Sequence, residues 1–435
     1  MIHILLRYLG IKTKMLNHID EQVNTLSCKG DTLLDLFAGS NIVGQFFSNK
    51  RRIFSNDIQK YSYIVAKATL DIDKEFDYKL IDVNKIEESN YFKKNYKKIS
   101  EIFSKPLKYE KDLIIKCIND SSYNNLLELK NLYDNTPYVG HFSNKVKEFN
   151  DLKKYYTEEF YNSLKNNNEY MLFTLNYAMP YFTLNQAVYI DSFRCAIEEL
   201  HNDSKISDTE YYVYLSLLIY GLECAVSSIG DHFAQPQIFK LEKEKKYKKG
   251  LEKLLIKKST SIHDVMNEKQ NEFISIDKNS FYDGNKCFCM DCIELLKDSN
   301  IMKNVDIIYI DPPYTNAHYS RFYHILETLV SYNYPKIEFN GRYSSDRYQS
   351  PFCQKKNAYN EFSKMINLCA SSKKKVIISY SDTDQCLISY NEIKEICEKY
   401  YSSVEIKKIN YLYRNLGQKP NKVSGNELLI MCEEV

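Results

Sequence analysis

The chain shows two textures of apolar and polar positions. Towards its two ends, short apolar runs of strand length close on turn or acidic residues; between them, apolar residues recur at helical spacing. Thr32–Phe37, Arg52–Ser55, Lys286–Met290, Val305–Ile310 and Val376–Tyr380 read as strands. Val404–Ile406 continued by Ile409–Leu412, and Glu427–Cys432, read as a terminal strand pair. From about residue 75 onward the segments 110–118, 122–133, 145–166, 185–201 and 208–228 carry the helical period, and Pro and Gly become rare. A doubly wound sheet needs no connection that long. The pattern therefore predicts a discontinuous α/β domain, 1–75 with 280–435, interrupted by a mainly helical insertion, 76–279. Met15, Leu16 and Ile19 give an N-terminal helix its stripe. Tyr319–Leu329 reads as an aromatic-rich helix, 335–358 as a mobile loop over the site, and 414–425 as a flexible basic loop.

Two strand ends carry candidate chemistry. The first run passes through Ala38-Gly39-Ser40-Asn41 into a helix opening at Ile42, and the second closes on Asn56-Asp57. Small residues in such a turn let the backbone approach a ligand at a helix N-terminus, and an acid about twenty residues on suits ribose hydroxyls. The fourth run stops on Asp311-Pro312-Pro313-Tyr314. Each proline lacks an N–H and has its φ fixed, so the ladder ends there in a stiff turn. A carboxylate, the Pro312 carbonyl and the Tyr314 ring are presented together, a set that suits a planar ligand bearing an amino group. Asp291, at the end of the Lys286–Met290 run, is placed to receive an adenine amine.

Composition changes this picture little. A net charge of +2 over 435 residues confines any basic surface to a local patch. Lys245, Lys246, Lys248 and Lys249, with Lys257 and Lys258, form the densest lysine segment, which is read either as a solvated helix face or as a phosphate contact. The N-terminus does not read as a signal peptide, and no apolar run approaches the ~18 residues of a membrane span, so the twelve cysteines are read as reduced thiols of a cytoplasmic protein. Cys287, Cys289 and Cys292 lack a second CxxC or a nearby His, and no metal is expected.

Together these parts resemble the adenine-specific DNA methyltransferases of the Dam-like class, the D12 or alpha group. That family opens with an aromatic residue, a Gly-containing turn and a lysine, here Tyr8, Gly10 and Lys12. A Phe-x-Gly-x-Gly turn follows, here Phe37 to Asn41, then an acid at the second strand end, Asp57, then an inserted target-recognition domain, and then Asp-Pro-Pro-Tyr. Tyr181–Thr183 with Asp191–Arg194, and Tyr323–Leu329, are similar to further family segments. Asn41 replaces the last turn glycine, and Leu9 and Ile11 stand where common members have proline and glycine. Asn tolerates left-handed backbone better than other non-Gly residues.

The resemblance implies a Rossmann-like fold that uses S-adenosyl-L-methionine and carries a large, mainly helical target-recognition insertion. Tyr8 and Lys12 would close over the cofactor. Phe37, Gly39 and Ser40 would face its methionine part, with Asp35 near the amino group, Asp57 at the ribose and Asp291 at the adenine amine. Asp311 would lie between cofactor and a flipped target adenine in double-stranded DNA, with Pro312 and Tyr314 completing the catalytic clamp. The expected activity is N6-adenine methylation, in a restriction-modification system with a separately acting endonuclease or as an orphan methylase. Cytosine N4 or RNA adenine as acceptor, and a binding protein without catalysis, are the competing readings. The chain has no Pro-Cys dipeptide, which argues against carbon-5 cytosine methylation.

Overall fold

The computed structural model describes residues 12–237, 244–414 and 422–434. Its contacts divide the chain into two compact units: 1–76 with 276–322 and 347–435, and 77–275 with 323–346.

The first unit is built on a seven-stranded sheet. Its strands are β1 (Leu33–Asp35), β2 (Ile53–Asn56), β3 (Lys286–Phe288), β4 (Ile307–Ile310), β5 (Lys375–Asp382), β6 (Ser403–Arg414) and β7 (Lys422–Glu433). They lie in the order β3-β2-β1-β4-β5-β7-β6. The first five are parallel, and β7 runs antiparallel to both β5 and β6. Such a mixed α/β architecture with a mostly parallel sheet is consistent with a methyltransferase fold.

Buried parallel strands need apolar side chains on both faces, which is why β1, β2 and β4 read as nearly unbroken runs. The period of two sorts them. Leu34, Ile308, Ile310, Val376, Ile378, Leu428 and Ile430 pack towards α4 (Cys292–Lys297), α5 (Ala358–Ser371) and α6 (Tyr390–Tyr400). Leu33, Ile307, Tyr309, Ile377, Leu429 and Met431 pack on the opposite face, towards α1 (Leu16–Leu26), α2 (Ile42–Phe47) and α3 (Lys60–Thr69). Gly44 lets α2 approach closely, since a Cβ there would lie 2.9 Å from Leu70.

β1 pairs with β2 on one side and β4 on the other, in register Asp35↔Ser55 and Asp35↔Tyr309. The order of strands reverses at this point, and ligands of open α/β sheets bind outside the strand ends at such a reversal. Asn56 ties three strand ends together there: its amide donates to the carbonyls of Leu36 and Met290, and its carbonyl accepts from the Met290 N–H.

The second unit is mainly helical. Leu184–Asn202 packs against Asn90–Ile102 and against Asp208–Ala225. Capping boxes at Thr183/Gln186 and Ser207/Glu210 set where Leu184–Asn202 and Asp208–Ala225 begin.

Several local expectations change. The 145–166 segment is a 3-10 stretch, Lys147–Tyr156, then a helix, Glu158–Asn166, because extended Thr157 caps the second piece. The Tyr319–Leu329 helix breaks at Tyr323 into Tyr319–Phe322 and His324–Ser331. The segment 323–346, expected with the α/β domain, groups with the helical unit. The 335–358 stretch is not one loop: Ile337–Glu338 and Tyr343–Ser344 pair as a hairpin, and Pro351–Cys353 is a 3-10 turn.

Candidate active site

The site forms where the ends of β1, β2, β3 and β4 meet. A single cavity is lined by Lys12, Asp35, Phe37, Gly39, Ser40, Asp57, Asp291 and Asp311 among others. Tyr8 lies outside the described residues.

The turn after β1 is held by its neighbours rather than by glycine alone. Gly39 has φ +51° and Asn41 φ +61°, both left-handed. Asn41 meets that requirement with its side chain: its amide donates to the Ser62 carbonyl (3.0 Å), and its oxygen accepts from the Ser55 hydroxyl (2.7 Å). The Ser62 hydroxyl donates to the Gly39 carbonyl (2.7 Å). Asp57 accepts from the N–H of Gly39 and of Gln59, each at 2.9 Å, so it braces the turn as well as facing the cavity. Burial pushes its carboxyl up to about 6, against those two bonds.

Asp35 is different. It is 1 % exposed, and among the described residues neither carboxylate oxygen meets a hydrogen-bond partner. Burial first, then the charges of Asp311 and Asp57, push its carboxyl well above the usual range; the nearby N–H groups of Gly44 and Phe37 oppose this weakly. A buried, unfilled acceptor at the cavity wall is a site for a donor-bearing ligand.

Asp291 caps α4 through the Ile293 N–H (2.9 Å) and accepts from the Tyr348 hydroxyl (3.2 Å). Tyr348 belongs to the 347–353 segment, whose Phe352 meets Phe37 edge to face at 5.5 Å. Both tyrosine and phenylalanine line the cavity, and both went unread in the sequence because their neighbours spell a polar loop.

Asp311 follows β4 directly. Lys12 contacts its Oδ1 at 3.1 Å and the Glu427 Oε1 at 2.7 Å. Burial raises the Asp311 carboxyl to about 6; Lys12 opposes that and Glu427 reinforces it. The two carboxylates hold the Lys12 ammonium well above its ordinary value against the loss of solvation. Pro312 is buried behind the turn. Tyr314 packs near Tyr380 at 5.3 Å between ring centres, and its carbonyl accepts from the Leu387 N–H. Beyond the turn lies a second cavity, lined by Thr315, Asn316, Lys355, Asp384 and Gln385 among others.

The lysine segment needs correction. Its helix is Glu244–Ser259, and the side chains of Lys245, Lys246, Lys248 and Lys249 lie outside the described residues. Lys258 is neither solvated nor available to phosphate: it is 4 % exposed and donates to the Met179 carbonyl. Burial lowers it to about 7 despite the charge of Glu110. Lys257 donates to the Cys224 carbonyl. The Asp191–Arg194 segment is also structural. Asp191 caps the backbone at Phe173 and Thr174, and Arg194 binds the Leu329 carbonyl and Glu198. Among the described residues no helix is long and apolar enough to cross a membrane, and no cluster of three metal-ligating side chains occurs.

Residues 8–192 match the model of the D12 class N6 adenine-specific DNA methyltransferases. The chain is 25 % identical over 425 residues to modification methylase LlaI of Lactococcus lactis subsp. lactis, covering 97 % of this chain and 54 % of that protein. It is 24 % identical over 401 residues to type II methyltransferase M.FokI of Planomicrobium okeanokoites, covering 91 % and 47 %. With type II methyltransferase M.NlaIII of Neisseria lactamica it shares 21 % identity over 407 residues, 91 % of this chain and 88 % of that one. The chain thus spans about half the length of the first two relatives. Over 8–192, a stretch that includes the Phe37–Asn41 turn and Asp57, the chain is thus similar to the D12 class N6 adenine-specific DNA methyltransferases.

Proposed function

We propose that the chain is a site-specific DNA methyltransferase that moves a methyl group from S-adenosyl-L-methionine to the exocyclic N6 of adenine. The observation that carries this reading is the pair Asp35 and Asp311 at the strand-order reversal. One is a buried carboxylate with unfilled lone pairs, the other a carboxylate held at a proline-stiffened strand end.

The residues fit the cofactor. Asp35 offers unfilled acceptors to an ammonium group, and Phe37, Gly39 and Ser40 line the wall beside it. Asp57 keeps lone pairs for ribose hydroxyls, and Asp291 shares the edge with Tyr348 for an adenine amine. Lys12 lines the same cavity, and Tyr8 keeps the role beside it that the family resemblance implies. When bound, the cofactor supplies an electrophilic methyl on a sulfonium centre.

Asp311 and the Pro312 carbonyl accept the two hydrogens of the target amine. This opposes delocalisation of the nitrogen lone pair into the ring and stabilises the positive charge developing there. Asp311 is the nearest base for the proton the nitrogen then sheds. Tyr314 stacks on the ring and fixes its angle, so orientation carries much of the rate. A base inside a duplex is paired and stacked, so it must be flipped to reach this turn; the second cavity, with its amides and Lys355, suits the extruded nucleotide.

The helical unit is the proposed target-recognition domain for double-stranded DNA, with Lys245, Lys246, Lys248 and Lys249 near phosphate. A cytoplasmic protein acting beside a separate endonuclease, or as an orphan methylase, fits the relatives named as modification methylases. No metal enters the scheme. The test is single-molecule sequencing of DNA from cells expressing the protein, with an Asp311→Ala control. N6-methyladenine in one sequence context, absent in the control, supports the reading. Unmodified DNA, or methylcytosine in its place, overturns it.

A further inference from the structure

Glu427 breaks the pattern of its strand. Along β7 the odd positions Leu429 and Met431 face the apolar layer over α1, and Glu427 occupies the same row, 2 % exposed. Its Oε1 receives the Lys12 ammonium at 2.7 Å and the Ser379 hydroxyl at 2.8 Å. The same ammonium lies 3.1 Å from Asp311. The arrangement is one cation between a buried and a half-buried carboxylate, and the carboxylate away from the cavity is the closer one.

We propose that Glu427 is a positioning residue of this site, holding the Lys12 ammonium between two carboxylates so that Lys12 orients Asp311 without neutralising it. The inference rests on the methyltransferase reading above. A carboxylate paired one-to-one with a buried ammonium gives up much of its strength as an acceptor, because hydrogen-bond strength follows charge on the acceptor. A second, nearer anion takes the larger share of the ammonium. Asp311 then keeps one oxygen oriented by Lys12 and the other free to meet the target amine. Glu427 is not a wall of the cavity, so it acts through Lys12.

Among the described residues, the other titratable groups around Asp311 come from several elements. Lys12 comes from the 3-10 turn before α1, Glu427 from β7, Asp35 from β1, Tyr309 from β4, and Tyr314 and Tyr319 from the segment after the turn. Of these, only Lys12 favours ionised Asp311, and Glu427 opposes it by like charge.

The test is Glu427→Gln, which keeps shape and removes the charge. Single-turnover methyl transfer to unmodified genomic DNA is followed from pH 5 to 8.5, alongside calorimetric titration with S-adenosylhomocysteine and a thermal melt. The expected result is a rate at least ~10-fold lower, with affinity for S-adenosylhomocysteine within ~3-fold. The acid limb of the profile moves to lower pH, because Asp311 has lost a like charge. A role confined to folding would lower the melting temperature and leave that limb in place. An unchanged limb, or an unchanged rate, overturns the proposal. Where the glutamine variant does not fold, Glu427→Asp decides: the charge stays but the arm shortens, so the limb stays and the rate falls, and a wild-type rate overturns the proposal. Wild-type protein that methylates no adenine sinks the underlying function and this inference with it; active wild type with an indifferent Glu427→Gln sinks this inference alone.

Discussion

Asp35 in the sheet unit and Asp191 in the helical unit are equally buried, and burial raises the carboxyl of both. They are held in opposite ways. Asp191 accepts from the Phe173 N–H, the Tyr332 hydroxyl, and the N–H and hydroxyl of Thr174. Those donors fill its lone pairs and fix the start of a short helix. Among the described residues, Asp35 is approached only by the Phe37 and Gly44 N–H groups, which fall outside hydrogen-bond geometry. Burial therefore does not separate a functional acid from a structural one; the state of its lone pairs does.

The largest test of that contrast is Asp311→Ala. Methyl transfer measured with labelled cofactor is expected to fall by at least ~10³-fold while cofactor affinity stays within about tenfold. Full activity would show that this strand-end carboxylate is not the reacting partner. Next, Asp191→Ala and Asp35→Asn should behave as opposites. The first strands several buried donors and is expected to cost about 3 kcal/mol in a denaturant titration. The second replaces a buried carboxyl that holds no strong hydrogen bond, so stability holds or rises while cofactor affinity drops ~10-fold or more by calorimetry. Equal losses of stability in both would break the distinction.

Acidity divides stability from activity. Asp57 and Asp311 have native carboxyls near 6, above their ordinary value of 3.8. Between those values the native state binds more protons than the unfolded chain. Their stabilising contribution is thus fully present below pH ~4 and is lost as pH rises through ~6. Methyl transfer needs ionised Asp311 and moves the other way, falling about tenfold per pH unit below ~6. Melts of ligand-free protein and rate profiles over the same buffers check both signs. The smallest expected effect lies in the helical unit. Replacing Lys245, Lys246, Lys248 and Lys249 with alanine should weaken DNA binding and flatten its salt slope by up to ~0.9 for each phosphate no longer neutralised. An unchanged slope returns the segment to a solvated face.

Much of the sheet was legible because its signals are local. Unbroken apolar runs mark the central strands, and two prolines mark the end of β4. What was missed depends on distant partners. Lys12 and Glu427 are 415 positions apart, and only pairing of β7 with β5 brings Glu427 near Ser379 and the N-terminal turn. A glutamate in the apolar row Glu427-Leu429-Met431 was the available signal. Lys258 was misread for the same reason: a lysine-rich helix looks solvated until packing buries one member beside Glu110. The excursion at 323–346 was hidden because Tyr319–Leu329 keeps a helical apolar period across the break at Tyr323.

Asn41 has a consequence for how such a turn can drift in sequence. Its left-handed backbone is secured by a hydroxyl on β2, Ser55, and by a carbonyl on α3, Ser62. Restoring glycine at 41 alone would leave the Ser55 hydroxyl without its acceptor in a closed interior. Replacing Ser55 alone would leave the Asn41 oxygen without that donor. The positions 41 and 55 are thus locked as a set: each single step passes through a less stable intermediate, and the paired change should cost less than the sum of the two. The departure from glycine is a second solution to the same turn, and it is reached, or undone, only in company.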